Sequence, residues 1–291
     1  MELKLALSIE QQIEKLKSDG LNIDDYNLAN RELSNINYYM LSGYFYKFKN
    51  EEDKFTEGYS FEYFLNLYKF DNELKNIIYK AISVVEHTLR TKISYHLALR
   101  DPANPEIYLS DGIYSDGEYT VATMKEKIEK YSDKRKDLLF VSHHRSKYEN
   151  HFPAWVAIEL FSFGDICYLF KKLKPEIQKE IANEFHTSNF ILMSWMNSIK
   201  YARNIIAHHG RIYGRSLPVK PKLCRKNHKQ YKTYSDKIFD CLYLLKILYY
   251  DKHDWVQIIE RIELLFSSSY GEQIDLQELG FPENWKQLLL N

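Results

Sequence analysis

The sequence predicts an all-α protein, a helical bundle with additional helices at both ends. Three observations point there. Glycine and proline are scarce, ten and seven among 291 residues. Apolar residues recur at spacings of three and four, and strand-like alternation is hard to find. A chain of this length can enclose a full hydrophobic core, as one large domain or two small ones. The expected regions are 1–55, helical and packed on the core; 56–216, the helical core; and 217–291, a basic loop with C-terminal helices.

Ser8, followed by Glu10 and Gln11, opens an amphipathic helix through Ile13 and Leu16 that stops near Gly20. A second short helix follows Asp24 and Asp25, through Leu28 and Leu33. Residues 36–48, INYYMLSGYFYKF, are dense in aromatic rings. Their burial energy favours a packed cluster, clamping the N-terminal helices to the body, over a base-stacking surface. From Phe61 to about Leu99 one long helix is expected, with Phe64, Leu67, Phe70, Leu74, Ile78, Ile82, Val85, Leu89 and Ile93 in helical period. Glu86 and Arg90 are four apart on it and can pair.

Asp101 to Thr120 reads as a loop by its prolines, glycines and acids. Met124 to Lys147 returns to a charged helix, and His143, His144 and His151 follow one another closely. Pro153 sits near the first turn of the next helix, as helix starts prefer, with a break near Phe163-Gly164. Pro175 opens another, to Phe185. Thr187, Ser188 or Asn189 caps the following one, which runs through Trp195 and Ile199. Residues 217–222, with Pro218 and Pro221, must be extended. Helices over 235–250 and 253–266 and a short terminal segment close the chain.

Lysine plus arginine and aspartate plus glutamate each number 40, so no global charge draws the protein to nucleic acid or membrane. Any such partner must meet a patch. One exists: residues 185–235 contain no acid, while Arg203, Arg211, Arg215, Lys220, Lys222, Arg225 and Lys226 accumulate there. Cys167, Cys224 and Cys241 are far apart and form no CxxC pair, which fits a reducing cytosol rather than a disulfide framework or structural zinc. No apolar signal region opens the chain. The run over 239–250 is too short to span a bilayer and is interrupted by Asp240 and Lys246. A cytoplasmic protein without a membrane partner is expected.

Within the basic block, Arg203-Asn204-Ile205-Ile206-Ala207-His208 places an arginine and a histidine five apart. On a helix Asn204 and His208 share a face, continued by Arg211 and Arg215, while Arg203 sits roughly 140° round. An imidazole with a pKa near ~6.5 can move a proton at neutral pH. A guanidinium can grip a phosphate and stabilise transition-state charge. Asn204 can orient the imidazole or bind a phosphate oxygen. RNA carries its own nucleophile, the ribose 2′-hydroxyl, so these groups suffice to cut it without a metal or other cofactor. Adjacent histidines, His208 and His209, point about 100° apart and would chelate one ion poorly. One chain offers one such motif while cleavage needs two proton transfers, so a homodimer is expected. The bare spacing is weakly specific: Arg90 to His96 and Arg145 to His151 satisfy a similar pattern. A solvated basic face ending in a capping histidine is the competing reading.

The stretch SWMNSIKYARNIIAHHGRIYGR, together with SIEQQIEKLKSDGL, INYYMLSGYFYKF, VEHTLRTKISYHLA and FPAWVAIELFSFGDICYLFKKL in that order, resembles the Abi-like phage-resistance proteins of the HEPN superfamily. The resemblance implies a helical HEPN core and a dimeric endoribonuclease of the abortive-infection or toxin–antitoxin kind. It implies catalytic Arg203 and His208, with Asn204 as the polar residue after the arginine. His209, Glu86 and Arg90 are candidates for supporting roles; the last two are as readily a buried ion pair tying helices together. Lys220 to Lys232 are an RNA-contacting loop or a solvated charged surface. The partner is an RNA substrate, with a small non-coding RNA or protein antitoxin as further candidates. Two rivals stand beside the nuclease: a non-catalytic RNA-binding module, and a protein regulated by a transferase that modifies Tyr213.

Overall fold

The structure, a computed structural model, describes residues 5–223, 231 and 235–291. Among them the fold is all-α; extended segments pair only in isolated bridges. The N-terminal region holds α1 (Ile9–Ser18), α2 (Tyr26–Asn35) and α3 (Tyr38–Ser42). Next comes α4 (Phe61–Arg100), whose 40 residues rise about 60 Å. Five shorter helices follow: α5 (Gly117–Lys134), α6 (Leu139–Lys147), α7 (Ala154–Leu160), α8 (Phe163–Lys172) and α9 (Pro175–Asn183). The motif helix is α10 (Asn189–Ala207), and α11 (Ile238–Leu248), α12 (Lys252–Phe266) and α13 (Trp285–Leu290) close the chain.

Local chemistry sets the starts. Ser8 and Gln11 form a capping box at α1, Asp25 caps α2, and Ser188, one of the three expected cap residues, caps α10. The aromatic segment packs as expected: Phe45, Phe48, Phe55, Tyr59, Tyr63 and Phe64 meet edge-on or tilted, with centroids 4.7–5.9 Å apart. Tyr39 and Tyr46 stay outside it, exposed.

Several boundaries differ from the sequence expectation. The loop after α4 is broken by two 3-10 turns and ends earlier, because α5 begins at Gly117. The helix expected over 124–147 is two, separated at residues 135–138. The break near Phe163-Gly164 falls at Phe161-Ser162 instead. Ser162 and Asp165 make a second capping box there, so Phe163 and Gly164 begin α8 rather than end α7.

α4 is the axle. It packs against α7, α10, α11 and α12. Buried side chains from Ile13 to Leu289 belong to one continuous hydrophobic core. The C-terminal helices therefore lie directly on the motif-bearing part of the chain. No described helix is long and apolar enough to cross a membrane.

Candidate active site

The motif occupies the C-terminal end of α10. Asn204 and His208 are exposed, one turn apart. Arg203 turns toward α4, with its side chain 29% exposed and Nε 3.7 Å from Glu86 Oε2. The other carboxylate oxygen, Glu86 Oε1, accepts a 2.6 Å hydrogen bond from Arg90 Nη2. Arg90 Nη1 donates at 2.7 Å to the carbonyl of Ile158, in the last turn of α7. Arg90 is only 6% exposed. It satisfies a helix-end carbonyl and fixes Glu86, and it is out of reach of a macromolecular ligand. Glu86 thus stands between two guanidiniums, one buried and one facing solvent.

The contact between Arg203 and Glu86 is ionic, too long for a hydrogen bond. Arg203 Nε is buried and has no hydrogen-bond partner. A donor left in that state costs about 1–3 kcal/mol.

The helix does not carry on to Arg211 and Arg215, as the sequence reading expected. It stops at Ala207, with His208 as C-cap. The Gly210 N–H donates at 2.8 Å to Ile205 O and the His209 N–H at 3.0 Å to Ile206 O, the two bonds of a Schellman ending. The left-handed residue that such an ending needs is His209, at φ 55°. Glycine is the usual occupant; a histidine there carries backbone strain of about 1 kcal/mol or more. Gly210 has its own requirement. A Cβ on it would lie 3.0 Å from both the side chain and the carbonyl of Ile205.

The chain after the turn is held from three sides. From α4, buried Asp71 accepts from the Tyr213 N–H at 2.7 Å and from the Ile212 N–H at 3.2 Å. Lys75, also buried, pairs with Asp71 at 3.1 Å. From the N-terminal region, the Tyr44 hydroxyl donates to Asp71 at 2.8 Å, while burial and that carboxylate push its phenol far above the usual value. From the C-terminal region, Glu278 O accepts from the Gly214 N–H at 3.0 Å and Asp236 O from the Leu217 N–H at 2.6 Å.

Sequence reasoning missed Asp71, Lys75 and Tyr44. A signal was present: Asp71 and Lys75 interrupt an apolar face of α4 at helical spacing, next to Phe70 and Leu74. A charge pair in a core stripe has to serve something buried.

The basic residues do not form one helical face. The Arg211 guanidinium lies over the Tyr44 ring, 5.8 Å from its centroid. Arg215 folds back so that its Nη1 lies 3.4 Å from where a Cβ on Gly210 would sit. Lys220 pairs with Asp236 at 2.5 Å on the surface, and Lys222 sits 3.6 Å over the Phe190 ring. The extended segment is strapped along α10: Ser198 Oγ donates to Val219 O, Trp195 Nε1 to Lys222 O, and the Lys222 N–H to Ser194 Oγ. Arg225 and Lys226 lie outside the described residues. Among the described residues, no three His, Cys, Asp or Glu side chains are grouped to hold a metal ion.

The chain matches the model of the family described as Abi-like protein over residues 31–214. That is well over half of the chain. The chain belongs to the Abi-like protein family. The match ends at Gly214, so it includes Glu86, Arg90, the whole of α10, the Schellman turn and the residues held by Asp71 in this Abi-like protein. No curated protein and no solved structure matches it. Tyr213, the residue a modifying transferase would have to reach, is 2% exposed with its phenol pushed up by burial.

Proposed function

We propose that this Abi-like protein is a metal-independent endoribonuclease of the HEPN type, acting in phage defence by abortive infection or as the toxin of a toxin–antitoxin pair. The observation that carries the reading is the end of α10. Asn204 and His208 are open to solvent one turn apart, with Arg203 braced on their flank by Glu86 and one of its donors unpartnered.

Each group then has a task. A base takes the proton from the ribose 2′-hydroxyl, whose oxygen attacks the adjacent phosphorus. The bond from phosphorus to the 5′-oxygen breaks as an acid supplies that oxygen with a proton. The products are a 2′,3′-cyclic phosphate and a 5′-hydroxyl end. His208 handles protons, Arg203 holds the phosphate and meets its developing charge, and Asn204 orients the imidazole or a phosphate oxygen. Glu86 is a positioning residue that keeps the Arg203 fork pointed outward, and Arg90 keeps Glu86 in place. Two proton transfers from one imidazole per chain call for two copies of His208, so the working form is a homodimer with both motifs on one cleft.

The test is incubation of purified protein with total RNA in EDTA, wild type beside Arg203→Ala, followed by end-group analysis. The expected result is cutting that persists in EDTA, leaves cyclic phosphate ends and disappears with the arginine. Cutting abolished by the chelator would overturn the metal-independent mechanism.

His209 supplies a second, independent check. His209→Gly relieves the left-handed backbone and is expected to stabilise the fold by about 1 kcal/mol. It is also expected to lower RNA cutting, because a strained histidine at a turn built for glycine is kept for its side chain. Thermal melts beside a cleavage assay measure both; a variant that gains stability and keeps full activity removes His209 from the site.

A further inference from the structure

A cavity of about 530 Å³ opens where α6 meets the start of α7, away from the motif. Small-molecule sites span about 300–1,000 Å³, so the volume is sufficient for a bound ring system. Its chemistry is specific. The lining includes His143, His144, Tyr148, His151, Trp155 and Glu106, so aromatic rings make half of the ten residues in the wall. Trp155 is 55% exposed, while Trp195 and Trp255 are buried. A large indole left open beside a cavity is a stacking surface without an occupant.

The imidazoles are held in place. His144 stacks on buried Phe152, with planes 18° apart and centroids 5.4 Å apart. Its Nδ1 lies 2.8 Å from Phe140 O. A carbonyl can only accept, so Nδ1 carries the hydrogen and the neutral ring keeps Nε2 as an acceptor. His151 Nδ1 lies 2.7 Å from Glu106 Oε2, and the other oxygen, Oε1, accepts from the Phe152 N–H at 3.1 Å. The adjoining backbone is strained: Glu149 and Asn150 are consecutive non-glycine residues at φ 50° and 68°. These histidines are not grouped to hold a metal ion.

We propose that this cavity accepts a nucleobase unstacked from a single RNA strand. The base lies against the rings of Trp155 and Tyr148, and the imidazole acceptors take hydrogen bonds from its amino group. The assignment to RNA rests on the nuclease reading. Helix α7 links the two places. Trp155 is in its first turn, while the Ile158 carbonyl in its last turn is held by Arg90 beside Glu86. Seven residues of helix rise about 10 Å, which sets the distance from the Trp155 end of α7 to the end that Arg90 ties to Glu86. The cavity would then select where along the strand the motif cuts.

The same ring chemistry could come from a free nucleotide, and the test separates the sources. Short oligoadenylate and AMP are titrated into the His208→Ala protein, reading the tryptophan emission that is lost in a Trp155→Ala control and the anisotropy of a labelled oligomer. Quenching by the oligomer at far lower concentration than by AMP is expected. Trp155→Ala, an exposed position, should weaken oligomer binding by roughly 5- to 100-fold, and His151→Ala should weaken it as well. Quenching by AMP at equal affinity supports the cavity as a base site but overturns the strand as its source. No quenching by either, with unchanged oligomer affinity in Trp155→Ala, overturns the proposal. If wild type cuts RNA while Trp155→Ala binds normally, this inference fails and the nuclease reading stands. Quenching in a protein that never cuts RNA has the reverse meaning.

Discussion

His208→Ala is expected to lower RNA cutting by about 10²- to 10⁴-fold, the usual contribution of a positioned proton-transfer group, while RNA affinity and the melting temperature stay near wild type. The structure explains why the fold should tolerate the change. His208 is exposed at the C-cap, and the bonds that end the helix run through backbone atoms of residues 205, 206, 209 and 210. Nothing in the core leans on the imidazole. Single-turnover cleavage, oligomer anisotropy and a thermal melt on the same preparation separate the alternatives. An RNA-holding module would keep its cellular phenotype in His208→Ala and lose it only when surface cations such as Arg211 or Lys220 are changed. Mixing wild type with excess His208→Ala adds a test of the dimer. If each cleft needs both copies of His208, subunit exchange makes the variant dominant and activity falls with the square of the wild-type fraction; a linear fall argues against sharing.

Asp71→Ala carries the largest expected effect on stability, about 3–5 kcal/mol, the cost of removing one partner of a buried ion pair. Three kinds of group lose their acceptor at once: the Ile212 and Tyr213 N–H donors, the Tyr44 hydroxyl and the Lys75 ammonium. Lys75 is left as a buried charge whose remaining contact is the Gly210 carbonyl at 3.5 Å. The turn bearing His208 and His209 is released with it, so cutting should fall even at temperatures where the variant remains folded. Denaturant unfolding measures the first effect. The double variant Asp71→Asn with Lys75→Met removes both charges and should lie closer to wild type in stability than Asp71→Ala does. A single variant costing under about 1 kcal/mol would mean that the pair is not what holds the turn.

The elements could be read from the sequence because each signal was local. The 40-residue helix α4 carries its period in its own residues, and Ser8, Asp25, Ser188 and Pro175 announce the helices they begin. Where a boundary moved, a competing local signal had been passed over, as with the Ser162 and Asp165 box read as a glycine break. The motif was also legible, and so was the pairing of Glu86 with Arg90, since a spacing of four on a helix is a geometric statement. That Glu86 also reaches Arg203 was not legible, because the two are 117 positions apart and meet only when α10 crosses α4. The same holds for Asp71 and its grip on the turn. The end of α10 misled for another reason: the spacing of His208, Arg211 and Arg215 looks helical, yet the backbone turns left-handed at His209.

One carboxylate set between two guanidiniums leaves an arithmetic remainder. Glu86 cancels one positive charge, and Arg90 and Arg203 supply two, so this trio holds an uncompensated unit of charge at rest. A resting surplus of that sign attracts anions in general, and those of higher charge most. Inorganic sulfate or phosphate should therefore occupy the place meant for the scissile group and inhibit competitively, more strongly than chloride at matched ionic strength.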